Sequence, residues 1–175
     1  MIKELYPYEY VESVFTIDYE ELYQKNFRGI IFDIDNTLVP HGADSNEEVD
    51  NLFKMIQAIG FKTLVLSNNT EERVRRFLRN IDSLYICDAE KPKTENFLKA
   101  VEMLELEKKQ IIYVGDQIFT DIYGANRSGI TNILVKYIGY YVKGKKGIKR
   151  GIEKFILKVY NTKTKYKHRL GKIEK

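Results

Sequence analysis

Two aspartates, one residue apart, end a short apolar run near the start of the chain. The segment GIIFDIDNTLV spans residues 29–39 and places Asp33 and Asp35 directly after that run. Alternate side chains of an extended backbone point to the same side. Two carboxylates held that close repel each other unless a cation lies between them. The segment therefore predicts a cation-dependent site at the end of a buried strand.

Polar residues also end two other apolar runs. Ser67 and Asn68 follow the run 61–66, and Asp116 follows the run 111–114. In a doubly wound sheet, ligands bind beyond the carboxyl ends of the strands, where the strand order reverses. Oxygen ligands at such a place suit a hard cation that keeps some of its water, and Mg²⁺ fits best. We therefore expect Mg²⁺ as the cofactor.

Lys91, in the sequence EKPK, adds a cationic side chain to this set. A metal ion, a lysine and backbone N–H groups together make a site for a phosphoryl group, whose charge is spread over its oxygens. One carboxylate is then available as a nucleophile and another for proton transfer. Taken singly, Lys91 could be a surface lysine and the two aspartates a solvated turn. Their convergence with Asp116 favours a catalytic site.

The elements that would position these residues alternate between strand and helix. Short apolar runs that are typical of buried strands lie at 29–33, 61–66, 84–87, 111–114 and 131–135. Helical patterns between them begin after Ser45, after Asn69 or Thr70, and near residues 94 and 119, with Ser45 and Glu48 predicted to form a capping box. The alternation predicts an α/β fold with a Rossmann-like open parallel sheet of about five strands, in the order 3-2-1-4-5, flanked by helices.

Charge is distributed unevenly along the 175 residues. Residues 143–175 carry 13 Lys and Arg against two Glu, a net charge of +11, whereas residues 1–142 carry 16 basic and 23 acidic side chains, a net charge of −7. We therefore predict a single catalytic domain over 1–142, with an N-terminal extension over 1–28, and a basic tail over 143–175. One cysteine, Cys87, excludes an internal disulfide and a cysteine zinc site.

The tail has the pattern of a basic amphipathic helix. Apolar residues recur at helical spacing at Ile148, Ile152, Phe155, Ile156 and Val159, and basic residues at Lys146, Arg150, Lys154 and Lys158. Such a helix can lie on an anionic membrane surface, or it can be the last helix packed on the sheet. No apolar run approaches the length of a membrane span. We therefore expect a cytoplasmic protein with peripheral contact to the inner membrane surface.

Four short motifs resemble those of the haloacid dehalogenase superfamily of phosphatases. These are DxDxT followed by Leu-Val, SNN after the second strand, Lys-Pro, and GDQIFTD, which occur in order across roughly residues 29–135. The longer segments IIFDIDNTLV and VGDQIFTDIYGANRSG resemble the YqeG family, which includes phosphatidylglycerophosphate phosphatases. The connections 40–61 and 70–91 leave no room for an inserted cap domain. The resemblance thus implies a cap-less (type III) fold of this superfamily.

This resemblance implies a role for each of the first-motif residues. Asp33 would attack phosphorus and become an aspartyl phosphate. Asp35 would protonate the leaving alkoxide and later activate water. Asp33, the backbone carbonyl of Ile34 and Asp116 would hold Mg²⁺.

It also implies roles for the later motifs. Ser67 and the neighbouring amide of Asn68 would bind phosphoryl oxygens. Lys91 would neutralise the developing charge, and Asp121 would orient Lys91 or a metal-bound water. Thr37 would shape the loop rather than react.

An open crevice without a cap suits a phosphate that is presented on something large. We therefore expect an Mg²⁺-dependent phosphomonoester hydrolase that acts on a lipid headgroup, such as phosphatidylglycerophosphate, at an anionic membrane surface. One alternative is a phosphatase for a nucleotide, a sugar phosphate or the terminal phosphate of a nucleic acid. Another is an RNA- or ribosome-binding protein that acts through the basic tail, although a binding module has no need for three convergent acids. Lipid and RNA phosphates attract lysine alike, so the tail does not discriminate between them.

Overall fold

The structure, a computed structural model, describes residues 2–139 and 145–175. Its strands are β1 (Glu9–Val11), β2 (Gly29–Phe32), β3 (Lys62–Leu66), β4 (Leu84–Ile86), β5 (Ile111–Gly115) and β6 (Thr131–Val135). Its α-helices are α1 (Tyr19–Gln24), α2 (Glu47–Ile59), α3 (Glu71–Phe77), α4 (Thr94–Leu104), α5 (Tyr123–Arg127) and α6 (Lys145–Asn161). Short 3₁₀ turns lie at Ile2–Leu5, Leu78–Asn80, Lys108–Gln110 and Thr164–Tyr166, and a π-helical turn lies at Ile118–Ile122.

The strands form one parallel sheet in the order β1-β6-β5-β2-β3-β4. The five predicted strands are β2 to β6, and their spatial order confirms the predicted 3-2-1-4-5. The sixth strand, β1, pairs with β6 at the edge and comes from the N-terminal extension. The prediction of about five strands omitted β1 because three residues are too few to show a periodicity.

The central strand β2 is buried on both faces, as its unbroken apolar sequence predicts. Ile30 and Phe32 pack against residues of α2 and α3, whereas Ile31 packs on the opposite face with Phe97 of α4 and Ala125 of α5. The segments 40–61 and 70–91 contain α2, and α3 with β4, and neither holds an inserted domain. The cap-less α/β fold is confirmed.

The start of α2 differs from the prediction in one residue. Asn46, rather than Ser45, is the N-cap, and its side chain accepts a hydrogen bond from Val49 N–H at 3.0 Å. Asn and Ser cap helices about equally well, so sequence cannot choose between neighbours. The Ser45 hydroxyl instead contacts the Asp50 carboxylate. At α1, the structure shows Asp18 as the cap of a short helix in the N-terminal extension.

The C-terminal segment packs back onto the sheet domain. Tyr160 at the end of α6 and Ile173 are both buried. Asp18 N–H donates to the Ile173 carbonyl at 2.7 Å, and the Arg169 guanidinium donates to the carbonyls of Tyr6 and Pro7. The predicted boundary between residues 142 and 143 and the side chain of Lys146 lie outside the described residues. Within the parts of the chain that the structure covers, no helix is long and apolar enough to cross a membrane.

Candidate active site

The candidate site lies at the carboxyl ends of three adjacent strands. Asp33 follows β2, Ser67 follows β3 and Asp116 follows β5, and all three side chains are buried. Because β5, β2 and β3 are neighbours, their carboxyl ends bring the three residues to one crevice. The sheet order thus brings these three residues together, as the sequence predicted.

Lys91 is at the centre of the site. Its Nζ lies 2.6 Å from Asp33 Oδ1, 2.8 Å from Asp121 Oδ1 and 2.9 Å from the Tyr113 hydroxyl. Burial alone would lower the pKa of Lys91, but the charges of Asp121 and Asp33 outweigh it and raise the pKa above its usual value. The lysine is therefore a fixed positive charge beside Asp33.

Asp121 comes from the π-helical turn and reaches Lys91 across β5. Its Oδ1 also accepts from the Tyr113 hydroxyl at 2.8 Å, and its Oδ2 accepts from Gln117 N–H at 2.9 Å. A Cβ at Gly115 would lie 2.6 Å from Asp121 Cβ, so only glycine allows this approach. The structure thus brings Asp121 to Lys91. Sequence reasoning missed Tyr113, which as a tyrosine in a buried strand gives no functional signal.

Asp33 and Asp116 are crowded acids. Burial raises the pKa of Asp33 to about 6 against the lowering effect of Lys91. Burial, together with the charges of Asp121 and Asp33, raises the pKa of Asp116 to about 8. The Thr37 hydroxyl lies between them, 3.2 Å from Asp33 Oδ2 and 3.3 Å from Asp116 Oδ1.

These acids form a donor set that fits a divalent cation. Asp33, Asp116 and Asp121 each offer a carboxylate oxygen, and these oxygens lie within 4.8 Å of one another. A hard cation such as Mg²⁺ would stabilise the ionised forms of these buried oxygen donors, two of which, Asp33 and Asp116, have raised pKa values. The Ile34 carbonyl, the other predicted ligand, accepts a hydrogen bond from Leu38 N–H at 2.9 Å.

Asp35 is held in place at the rim of the same pocket. Its Oδ1 accepts from Arg73 at 2.9 Å and from Gly42 N–H at 3.1 Å, and its Oδ2 accepts from Asn69 at 2.9 Å. Burial opposes ionisation, but the hydrogen bonds from Asn69 and Gly42 and the charge of Arg73 lower the pKa of Asp35 overall. His41 Nδ1 lies 3.1 Å from Asp35 Oδ2, although the imidazole is largely exposed.

Ser67 and Asn68 point into the pocket rather than capping α3. The N-cap residue of α3 is Thr70. The Ser67 hydroxyl accepts from the backbone and side-chain N–H groups of Asn69, at 3.2 and 2.8 Å. Asn68 Oδ1 accepts from Lys91 N–H at 2.7 Å, which ties the second motif to the third.

The pocket has a second wall that the sequence did not predict. A cavity of about 700 Å³ is bounded by the motif residues on one side and by α6 on the other. The residues that α6 contributes are Lys149, Arg150, Gly151, Glu153, Lys154 and Leu157. The crevice is therefore not bounded by the sheet edge alone.

Arg150 reaches from α6 into the acid cluster. Its Nη2 contacts the Asp116 carboxylate, and its Nη1 donates to the Asp116 carbonyl at 3.0 Å and to Glu153 at 3.1 Å. The guanidinium carbon lies 4.3 Å from the centre of the Tyr137 ring. The sequence places Arg150 among the basic residues of one face of the tail, and in the structure the buried Asp116 carboxylate draws its guanidinium into the pocket.

Glu153, one turn further along α6, supports the π-helical turn. Its Oε1 accepts from the N–H groups of Ile118 and Phe119, at 2.9 and 3.4 Å. These N–H groups lie at the start of a helical turn and have no partner within it, and a carboxylate is favourable there. The only signal in the sequence was that Glu153 is one of two acids within a basic tail.

Comparison with known proteins identifies the family. The chain matches the family model of haloacid dehalogenase-like hydrolases over residues 43–129. It is 37% identical over 137 residues to the probable phosphatase YqeG of Bacillus subtilis, which covers 77% of this chain and 80% of that protein.

Solved structures show a similar fold. An uncharacterized protein from Listeria monocytogenes superposes with a TM-score of 0.53 at 19% identity, over 78% of this chain and 100% of that chain. A structure described as a putative HAD superfamily (subfamily III A) hydrolase from Legionella pneumophila gives a TM-score of 0.52 at 16% identity, over 82% and 89% of the two chains. At these identities the two structures show the fold alone.

Proposed function

This chain belongs to the haloacid dehalogenase-like hydrolases, in the family of the probable phosphatase YqeG, and we propose that it hydrolyses phosphomonoesters through an aspartyl phosphate on Asp33. Membership of this family identifies the chain as a phosphatase. The observation that carries the mechanism is the buried contact of Lys91 with Asp33, 2.6 Å apart, beside Asp116 and Asp121.

In the first step, a carboxylate oxygen of Asp33 attacks phosphorus and the bond from phosphorus to the leaving alkoxide breaks. Lys91 holds Oδ1 of this carboxylate and so fixes its orientation. Ser67 and the Asn68 amide bind phosphoryl oxygens, while Lys91 neutralises their developing charge. Asp33, the Ile34 carbonyl and Asp116 would hold Mg²⁺, whose positive charge would stabilise the phosphoryl oxygens, and Asp121 would orient Lys91 or a metal-bound water.

Asp35 transfers the protons. It gives a proton to the leaving alkoxide and in the second step takes one from the water that attacks the phosphoenzyme, which releases phosphate and restores Asp33. Its lowered pKa means that Asp35 is ionised in the free enzyme. A phosphate monoester, whose second pKa is about 6, can bring the required proton into the site.

For the substrate, we propose the phosphate of a lipid headgroup, with phosphatidylglycerophosphate the first candidate, at the cytoplasmic face of an anionic membrane. The pocket wall formed by α6 supports an anionic substrate, since it carries Lys149, Arg150 and Lys154. The absence of an inserted domain over 40–61 and 70–91 supports a substrate presented on a larger body. Nucleotides, sugar phosphates and nucleic-acid ends are the competing substrates, and RNA binding through the tail is the competing function.

The test is phosphate release by the full chain from a panel of lipid, nucleotide, sugar and oligonucleotide phosphates, with Mg²⁺ and with chelator. We expect the highest kcat/KM on the lipid phosphate in mixed micelles and no turnover in chelator. Full activity in chelator would remove the metal site from the mechanism. A higher kcat/KM on a nucleotide, sugar or oligonucleotide phosphate would replace the lipid as substrate.

A further inference from the structure

The outer face of α6 exposes a row of large apolar side chains. Ile148, Ile152 and Phe155 are 69%, 49% and 66% exposed. Their spacing of four and three residues places them on one stripe of the helix. Only two other large apolar side chains among the described residues are exposed, Met55 at 37% and Leu84 at 42%. We call Ile148, Ile152 and Phe155 the α6 apolar row.

The opposite face of α6 is held by the protein. Arg150 contacts Asp116, Glu153 accepts from the π-helical turn, and Tyr160 packs on Tyr6 with ring centres 5.8 Å apart. Rotating the helix to bury the row would break all three contacts and leave the buried Asp116 carboxylate and the N–H groups of Ile118 and Phe119 without these partners, which is costly. The contacts of the opposite face therefore keep the row facing outward, and the row does not belong to the core.

The net charge of the C-terminal segment that carries the row favours one occupant. Residues 145–175 carry 12 Lys and Arg against two Glu, a net charge of +10. A second copy of this chain would bring an equally basic surface and would be repelled. A nucleic acid would satisfy the charge but offers no apolar phase for aliphatic side chains. An anionic lipid bilayer satisfies both, since it accepts apolar side chains below a layer of negative headgroups.

We propose that the α6 apolar row docks on an anionic lipid bilayer while its basic neighbours contact the headgroups. Arg150, Glu153 and Leu157 line the pocket from the inner side of the same helix. A helix is about 10–12 Å across, so docking places the pocket within one helix diameter of the lipid phosphates. The docking is independent of catalysis; only the benefit of this placement rests on the proposed lipid substrate.

The experiment compares three full-length proteins: the wild type, the triple variant Ile148→Ser, Ile152→Ser, Phe155→Ser, and the matched variant Met55→Ser, Leu84→Ser. Each is sedimented with phosphatidylcholine vesicles that contain or lack phosphatidylglycerol, at low and high salt. We expect salt-sensitive binding of the wild type and the matched variant to the anionic vesicles. For the triple variant we expect binding lower by about tenfold or more.

Hydrolysis of a soluble aryl phosphate, together with circular dichroism, shows that the triple variant folds and retains its chemistry. Equal vesicle binding by the triple variant and the wild type would overturn the proposal, as would equal binding to vesicles without phosphatidylglycerol. A wild-type dimer or an oligonucleotide complex that is lost in the triple variant, without vesicle binding, would overturn it in favour of a second copy or a nucleic acid. Row-dependent vesicle binding without hydrolysis of any lipid phosphate would support docking and overturn the proposed substrate.

Discussion

At the scale of single residues, the acid cluster has more negative than positive charge. When all three acids are ionised, Asp33, Asp116 and Asp121 face Lys91 and Arg150, which leaves one negative charge without a partner. Burial is the main reason that the pKa values of Asp33 and Asp116 are raised despite adjacent cations, and the charges of the neighbouring acids add to it. A divalent cation would remove the deficit, and so would the loss of one acid.

Asp33→Asn should lower kcat by about a thousandfold or more, because an amide cannot attack phosphorus. It should also raise the Tm of the metal-free protein by about 2–4 °C for each kcal/mol of repulsion relieved. The pKa of Asp33 is about 6 in the folded protein, so this gain should be full above that pH and should shrink below it. Asp44→Asn, at an exposed acid, is the matched control. Residual activity above roughly a tenth of wild type would exclude Asp33 as the nucleophile.

Metal binding should release protons near neutral pH. With a pKa of about 8, Asp116 holds a proton in the metal-free protein at neutral pH, and a metal ion needs the ionised form. We expect the affinity for Mg²⁺ to fall by about tenfold for each pH unit below that pKa. Calorimetry in buffers of different ionisation enthalpy measures the proton release. Because the folded-state pKa is raised, the metal-free protein should also lose stability as pH rises from the unfolded value toward about 8. A constant affinity over this range would show that Asp116 is already ionised.

At the scale of elements, the contact between α4 and α5 depends on a glycine. A Cβ at Gly124 would lie 2.4 Å from the Phe97 ring, which is fully buried. Gly124→Ala should therefore lower the free energy of unfolding by about 1–3 kcal/mol, despite its better helix propensity. Gly151→Ala in α6 is the matched control, because nothing lies within 4 Å of its added Cβ. The control should gain about 1 kcal/mol. Denaturation by urea measures the free energy of unfolding of both variants. Equal changes in the two variants would mean that α4 and α5 can move apart to accommodate the added methyl group.

The contact between α6 and the acid cluster should compete with metal binding. Arg150 places a positive charge on Asp116, a predicted ligand of Mg²⁺. Arg150→Gln removes that charge and should tighten Mg²⁺ binding by about tenfold, whereas Arg150→Lys, which keeps the charge, should change it less. By linkage, Mg²⁺ should weaken the docking of α6 and speed its hydrogen exchange. Weaker Mg²⁺ binding by Arg150→Gln would mean that Arg150 supports Asp116 as a ligand.

At the scale of the whole molecule, the basic C-terminal segment completes an acidic domain. Ile173 is buried in the main core cluster and Tyr160 is buried beside the N-terminal turn. Truncation after Val142 removes both, and each buried side chain contributes about 1.5–3 kcal/mol. We expect a urea midpoint well below that of the wild type, while Phe155→Ser, at an exposed position, should leave the midpoint unchanged. An unchanged midpoint on truncation would make the segment a separate appendage.

The sequence was sufficient for the sheet and for the motif side of the site. Buried parallel strands are continuous apolar runs, so β2 to β6 are visible locally. Parallel strands end at one edge, so the residues that follow them converge once the order is known. Asp33, Ser67 and Asp116 could therefore be placed together without coordinates. The N-cap Asn46 could not be predicted because the neighbouring Ser45 caps a helix about equally well. Strand β1 could not be predicted because three residues are too few to show a periodicity.

The other side of the site was decided by tertiary structure alone. Arg150 lies 34 residues from Asp116, and Arg73 lies 38 residues from Asp35. Sequence periodicity gives the stripes of a helix, but it does not tell which stripe packs inward. In α6 the stripe with Ile148 and Phe155 is exposed. The polar side of the helix faces inward because it binds the buried Asp116 carboxylate and the N–H groups at the start of the π-helical turn, and these contacts outweigh burial of the apolar side. The sequence by itself thus determined a parallel sheet with acids at one edge, and only the packing of α6 decided that its basic face closes the pocket and its apolar row faces out.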